Sequence, residues 1–138
     1  EQIDDILAWI SSVLEIGGKF VFDIHTLYAV TPNPGVWHGK SIKREDGSRI
    51  VLHTLTEFHP VMRLETTLCR YELWQRNAVT RMQVEDLTLR LYDPRELEYR
   101  LRQHGLHTLA IWQASPYLPK QKAVYDAKYV QFECVKMS

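Results

Sequence analysis

With 138 residues the chain fits a single domain with a workable core, and its 45% hydrophobic and 25% charged content is ordinary for a soluble globular protein. Its 17 Lys and Arg balance 17 Asp and Glu, which leaves no global field to draw in nucleic acid or an anionic membrane. Two cysteines, Cys69 and Cys134, are too few and too far apart for a disulfide framework or a zinc site.

The opening segment EQIDDILAWISSVL places Ile3, Ile6, Leu7, Ile10, Val13 and Leu14 at three- and four-residue spacings, with Asp4, Asp5, Ser11 and Ser12 mostly opposite. This spacing predicts an amphipathic helix. Gly17 and Gly18 end it, because glycine takes the left-handed conformation without steric cost. The run KFVFDI then predicts a short strand covered on both faces, as in parallel α/β construction. TPNPG at 31–35 breaks the chain, and from Val36 to Tyr92 no helical period appears. Strands are expected near 37–44, 49–58, 62–75 and 80–92, turning at DGS (46–48), His59-Pro60 and Arg76-Asn77, with antiparallel neighbours. Within them Leu64, Thr66 and Leu68 share one parity while Cys69, Tyr71 and Leu73 share the other, and Met82 and Val84 are out of phase with Leu87, Leu89 and Leu91. A bulge or a twist between two environments would produce both slips. KRED at 43–46 reads as a charged hairpin tip, not a nucleic-acid stripe.

DPRELEYRLRQHGL then predicts a second helix with Asp93 at N-cap, Pro94 at N1, Glu96 at N3 and Gly105 at C′. Leu97, Leu101 and either Tyr99 or His104 form its buried side. Two final strands, 107–114 and 128–136, are joined by SPYLPKQKAVYDA, which is too polar and Pro-broken for a crossover helix, so that pair is expected to be antiparallel. The longest apolar runs fall far short of the roughly 20 residues that cross a bilayer. The acidic, amphipathic start is unlike a secretory leader, and a cytoplasmic protein with reduced thiols is expected. The chain opens on Glu1 inside an amphipathic pattern, as a fragment of a longer protein would.

The order of these elements resembles that of class I S-adenosylmethionine-dependent methyltransferases. The opening helix, the L-x-x-G-G turn and the FVFDI strand resemble the region of that family's fifth strand. LTLRLYDPRELEYRLRQHGL resembles the start of its last helix, with an R-x-Y-x-x-x-E-L pattern and a closing H-G-L. The terminal pair then corresponds to the reversed sixth and seventh strands. The resemblance covers 1–26 and 87–138, and 35–86 resembles a β-rich insertion that some small-molecule methyltransferases carry as a lid over the acceptor. It implies an α/β fold (α+β as a fragment), with 1–34 and 87–138 as part of a Rossmann-like core and 35–86 as an inserted antiparallel sheet.

The family's first strand ends in a Gly-rich loop, and an acidic residue on the second strand holds the cofactor ribose. None of the six glycines here forms G-x-G, and Gly17-Gly18 precedes a strand rather than following one. The resemblance therefore implies the C-terminal half of such an enzyme. S-adenosylmethionine would be the cofactor of the full-length protein, and the chain alone would bind none and be inactive.

In open α/β sheets ligands bind beyond the carboxyl ends of the parallel strands, which puts Asp23, His25 and Tyr28 on the acceptor side if 19–24 is the fifth strand. His25 could take a proton from the methyl acceptor, since its unperturbed pKa lies near neutrality, with Asp23 orienting it or a substrate amine. Alternatively, His25 merely caps the strand and Asp23 forms the turn. Methyl transfer often needs no strong base, because alignment supplies much of the acceleration. Arg90 and Tyr92 could hold an anionic or planar acceptor, or Arg90 could only pair with surface carboxylates. Trp37, with Trp74 and Trp112, could line an apolar acceptor pocket or simply pack in the sheets. The six histidines show no H-x-H or H-x-x-x-H spacing, so no metal site is expected. The partners expected are a small-molecule acceptor and a second copy of the chain, because a sheet that begins at its fifth strand leaves an open edge and uncovered faces. The other reading is a non-catalytic small-molecule-binding or dimerisation module.

Overall fold

A computed structural model describes residues 2–114 and 120–138. The chain divides into two compact units, Glu1–Ala29 with Leu91–Ser138, and Val30–Arg90. The division falls where the strand ending at Arg90 stops, so residues 30–34 and 87–90 go with the middle unit.

In the first unit α1 spans Gln2–Val13, β1 Lys19–His25, α2 Pro94–Gln103, β6 Leu106–Gln113 and β7 Tyr129–Lys136. Its three-stranded sheet has the order β1-β7-β6. β7 is antiparallel to both neighbours, so β1 and β6 run in the same direction. The terminal pair is antiparallel, as its polar, Pro-broken connection led one to expect, but the reversal relative to β1 belongs to β7 alone. Of that connection, residues 115–119 lie outside the described residues.

The core lies on one face of this sheet. Leu7 of α1, Leu97 and Leu101 of α2, and Leu106, Val130, Phe132 and Cys134 of the strands are buried together, with Phe20, Phe22 and Ile24 packed against them. Lys19, Val21, Asp23 and His25 project to the other side, as strand alternation requires. β1 is thus packed on one face, and Val21 stays half exposed, which corrects the expectation of a strand covered on both faces. The even positions of KFVFDIH are all apolar and the odd ones mostly polar, the pattern of a half-buried strand. Burial raises the Cys134 thiol to about 11, so it is an inert core residue.

The stripe read on α1 is split by its neighbours. Ile3, Leu7, Ile10 and Leu14 reach the core, whereas Ile6, Trp9 and Val13 are exposed. The helix has no basic residue in its last turn. Instead the Lys136 ammonium of β7 donates to the carbonyls of Ser11 and Leu14, a positive charge on the negative end of the helix dipole. Gly17, at φ 84°, turns the chain into β1 and donates its N–H to Lys136 O at 2.8 Å. Lys136→Met keeps the stem but removes two charge-assisted bonds. It is expected to cost about 1.5–3 kcal/mol, read as a lower denaturant midpoint at unchanged slope.

α2 follows its cap residues closely. The Asp93 carboxylate accepts from the N–H groups of Arg95 (2.8 Å) and Glu96 (3.3 Å), Pro94 opens the helix, and Gly105 takes φ +74° beyond it. A Cβ on Gly105 would also clash with the Ser138 backbone oxygen. Of the two candidates for the inner side, Tyr99 is exposed and His104 turns inward, its Nε2 lying 3.3 Å from Asp4. His104 and Arg100 together tie α2 to α1 through Asp4 and hold that carboxyl below the usual range.

The second unit is an antiparallel sheet of order β2-β3-β4-β5, spanning Trp37–Lys43, Arg49–His59, Leu64–Gln75 and Ala78–Arg90. Arg76 and Asn77 both have positive φ, the two-residue turn that matches strand twist. Asp46 accepts from the N–H and hydroxyl of Ser48 to close the first hairpin. The one register shift in this sheet lies between Leu73 and Trp74. The β4 phase slip at Leu68/Cys69 and the β5 slip before Leu87 carry no bulge, because the ladder runs unbroken from Leu64 to Leu73. β4 is half buried along most of its length, on both parities. Its phase slip records a strand with both faces partly covered.

Candidate functional site

β1 ends at His25, and the next residue organises the surroundings. Thr26 is fully buried. Its hydroxyl donates to Ala127 O at 2.6 Å and accepts from the Tyr28 N–H at 3.2 Å. Its own N–H donates to Lys128 O. The end of β1 is thereby fixed to the segment that enters β7, and the 3-10 turn Leu27–Ala29 is held at its first step. Tyr92 comes in parallel beside Thr26, its N–H donating to His25 O and its carbonyl accepting from the Leu27 N–H, both at 3.1 Å. The chain thus leaves the first unit and returns to it at one place.

Beside this junction lies a cleft of about 550 Å³, lined by Leu27 and Tyr28 after β1, Asp93–Arg95 at the start of α2, Ile111 near the end of β6, and Val124 and Tyr125 before β7. Its size suits a small organic molecule. It sits at the carboxyl ends of the two strands that run the same way, where open α/β sheets bind ligands. Tyr28 and Tyr125 meet edge to face with centroids 6.1 Å apart and form an aromatic wall. Arg95 and the cap carboxylate of Asp93 also line the cleft and supply charge there.

Of the residues singled out from the sequence, Tyr28 lines this cleft. His25 and Asp23 are on the same strand but project from the face opposite the core. The His25 ring packs edge to face on Tyr129 at 4.8 Å, and Asp23 accepts from Gln131 at 2.9 Å. Trp112 shares that face. Its indole N–H donates to Glu133 at 3.1 Å, and with Lys120 and Lys19 nearby this keeps the Glu133 carboxyl below its ordinary range. Tyr92 is partly buried against the core and joins the site through its backbone. Trp37 and Arg90 belong to the second unit, where Arg90 is exposed opposite Leu64 at the end of β5. Trp37 opens β2 under the Arg70 guanidinium, 5.5 Å from its ring centroid. On the same sheet face His53 meets Glu72 at 3.0 Å, and the Trp74 indole N–H also donates to Glu72.

Asp93, Arg95, Val124 and Tyr125 had no functional signal in the sequence. Asp93 was legible only as a helix cap, and the other three carry no periodicity that reveals a lining role. The glycines of the described residues do not form a Gly-rich strand-to-helix loop. Gly17 precedes β1, Gly35 and Gly47 lie in loops of the second unit, and Gly105 follows a helix, so no glycine stands between a strand and the helix after it. Among the described residues no three His, Cys, Asp or Glu side chains are grouped to hold a metal, and no helix is long and apolar enough to cross a membrane.

No protein-family model matches the sequence, and no curated protein matches it. Solved structures do match. An S-adenosylmethionine-dependent methyltransferase from Clostridium acetobutylicum superposes with a TM-score of 0.74 at 16% identity, over 96% of this chain and 50% of its own. The CcbJ methyltransferase of Streptomyces caelestis gives 0.68 at 15% identity over 98% of this chain and 50% of its own. CalS10, an amino pentose methyltransferase from Micromonospora echinaspora solved with S-adenosylmethionine bound, gives 0.68 at 14% identity over 98% and 50%. The chain thus spans about half the length of the structures it matches. Its mixed α/β architecture, with one reversed strand in a sheet that carries both helices and an antiparallel sheet inserted after β1, is the fold of the C-terminal half of S-adenosylmethionine-dependent methyltransferases.

Proposed function

We propose that the chain is the acceptor-side portion of an S-adenosylmethionine-dependent methyltransferase acting on a small molecule, and that catalysis requires a cofactor-binding half which these residues do not supply. The supporting observation is the cleft at the carboxyl ends of β1 and β6, walled by Tyr28 and Tyr125 and held in shape by buried Thr26. Relatives of the same fold include an amino pentose methyltransferase and a sugar N-methyltransferase, and a polar ring-shaped acceptor suits aromatic walls with Arg95 and Asp93 at the rim. The chain's own contribution is to hold the acceptor in line for transfer and to exclude water, the part of methyl transfer that alignment supplies. Tyr92 is retained as a candidate acceptor contact, and His25 with Asp23 as a candidate proton acceptor for a molecule on the sheet face away from the cleft.

Isothermal titration of the chain with S-adenosylmethionine is expected to show no micromolar binding, whereas a protein carrying a Gly-rich strand–turn–helix half ahead of it binds the cofactor and methylates. Micromolar binding by the chain alone overturns this reading. The second reading, a binding or dimerisation module, is favoured by one observation: the middle unit is a four-stranded sheet whose two outer strands have no further strand partner among the described residues.

A further inference from the structure

One face of the middle sheet gathers apolar side chains beneath positive charge. The register sets Ile50 of β3 opposite Leu73 of β4, Leu73 opposite Arg81 of β5, and Tyr71 opposite Gln83, so these five side chains share a face. A hollow of about 320 Å³ opens there toward the hairpin tips, with Ile50, Leu73 and Tyr71 in its wall and Arg44, Arg81 and Gln83 around them. Glu72 also lines it, but its carboxylate accepts from His53 and Trp74 on the opposite face, so it offers only backbone here.

The charge around the hollow is mainly of one sign. Arg81 has no ion-pair partner among the described residues. Arg44 feels Asp46, whose carboxylate is already held by the N–H and hydroxyl of Ser48. Lys40, opposite Leu52, adds a third cation to the face. The opposing charge is Glu85, two residues beyond Gln83, and it accepts from the Gln83 amide at 2.7 Å. Cys69, burial and Glu85 hold the Tyr71 phenol above its usual pKa, so it stays neutral and adds no negative charge. The other face of the sheet offers nothing equivalent. Its arginines, Arg49 and Arg70, already lie over Trp74 and Trp37, and Arg70 also meets Glu72.

We propose that this hollow binds a phosphate monoester of a compact apolar group, with the phosphate between Arg44 and Arg81 and the apolar body against Ile50, Leu73 and the Tyr71 ring. One guanidinium fork satisfies a planar carboxylate, whereas the three free oxygens of a phosphate monoester can engage two forks. The monoester is close to a dianion above its second pKa near 6, which suits a face carrying three cations. The apolar wall adds about tenfold in affinity for an aryl ester over phosphate itself. The site lies wholly within the second unit, goes beyond methyl transfer, and stands whichever reading of the first unit is correct.

The experiment titrates the isotope-labelled chain with phenyl phosphate at low salt and about pH 7.5, followed by amide chemical shifts. Saturable shifts are expected around Ile50, Leu73 and Arg81, with a dissociation constant of about 1 mM. Inorganic phosphate and benzoate bind at least about tenfold more weakly. Arg81→Gln weakens phenyl phosphate about 10- to 100-fold. Glu85→Gln removes the opposing charge and tightens it about two- to threefold, a gain that a misfolded variant could not give. The absence of saturable shifts, shifts centred elsewhere, an Arg81→Gln chain that binds as the native one does, or a Glu85→Gln chain that gains nothing each overturns the site. Inorganic phosphate or benzoate binding as tightly as phenyl phosphate overturns the ligand class.

Discussion

Phe132→Ala is expected to lower the unfolding free energy of the chain by about 3–5 kcal/mol, the largest effect of any single truncation. Phe132 is fully buried at the middle of β7, and β7 is hydrogen-bonded to both other strands of its sheet. Its ring stacks on Phe22 with centroids 5.3 Å apart, Phe22 stacks on Phe20 at 4.8 Å, and Leu97 and Leu101 of α2 belong to the same buried cluster. Removing the ring therefore takes away both the transfer free energy and the contacts of neighbours on two strands and a helix, which cannot all close in together. Since domains of this size are stable by only about 5–15 kcal/mol, the loss is a large fraction of the total. Urea unfolding followed by far-UV circular dichroism measures it, with Phe132→Leu as the milder comparison. A shift no larger than that of an exposed-site variant such as Tyr99→Ala would mean that the core is not centred on β7.

The elements most legible in the sequence are those fixed by local chemistry. Asp93, Pro94 and Gly105 bound α2 because an N-cap carboxylate, a locked φ and a left-handed residue act within one turn of chain. Arg76-Asn77 marks a hairpin for the same kind of reason. What the sequence showed less well depends on neighbours far away in the chain. The α1 stripe was legible, but which part of it meets a partner was not: Ile6, Trp9 and Val13 have the same chemistry as Ile3, Leu7 and Ile10 and differ only in what lies opposite. For β1 a signal existed. The apolar Phe20, Phe22 and Ile24 share one parity and Lys19, Asp23 and His25 the other, which places His25 away from the helices and from the cleft. The cleft itself was half legible. Tyr28 follows from the rule that ligands sit beyond strand ends, whereas Tyr125 and Val124 come from an irregular segment held where Ala127 O accepts from the Thr26 hydroxyl, 101 residues earlier in the chain.

Thr26 joins fold and site, and Thr26→Val separates the two roles. Valine matches threonine in shape, so no cavity opens, but the hydroxyl is lost at a fully buried position. Ala127 O then lacks its 2.6 Å donor and the Tyr28 N–H lacks its acceptor. Leaving buried polar groups unsatisfied costs about 1–3 kcal/mol, more than a typical hydrogen bond contributes when made, because neither water nor a new partner replaces the lost one. Thr26→Ser keeps the hydroxyl and loses a methyl group, worth about 0.8 kcal/mol of burial. Valine is thus expected to be the more damaging substitution despite its better fit to an apolar surrounding. It should also release the Tyr28 amide to faster hydrogen exchange, while the amides of Phe22 and Ile24 in the β1–β7 ladder keep their protection relative to global stability. The opposite order, with serine worse than valine and the Tyr28 amide unmoved, would make Thr26 a packing residue and leave the position of the tyrosine wall to the surrounding backbone alone.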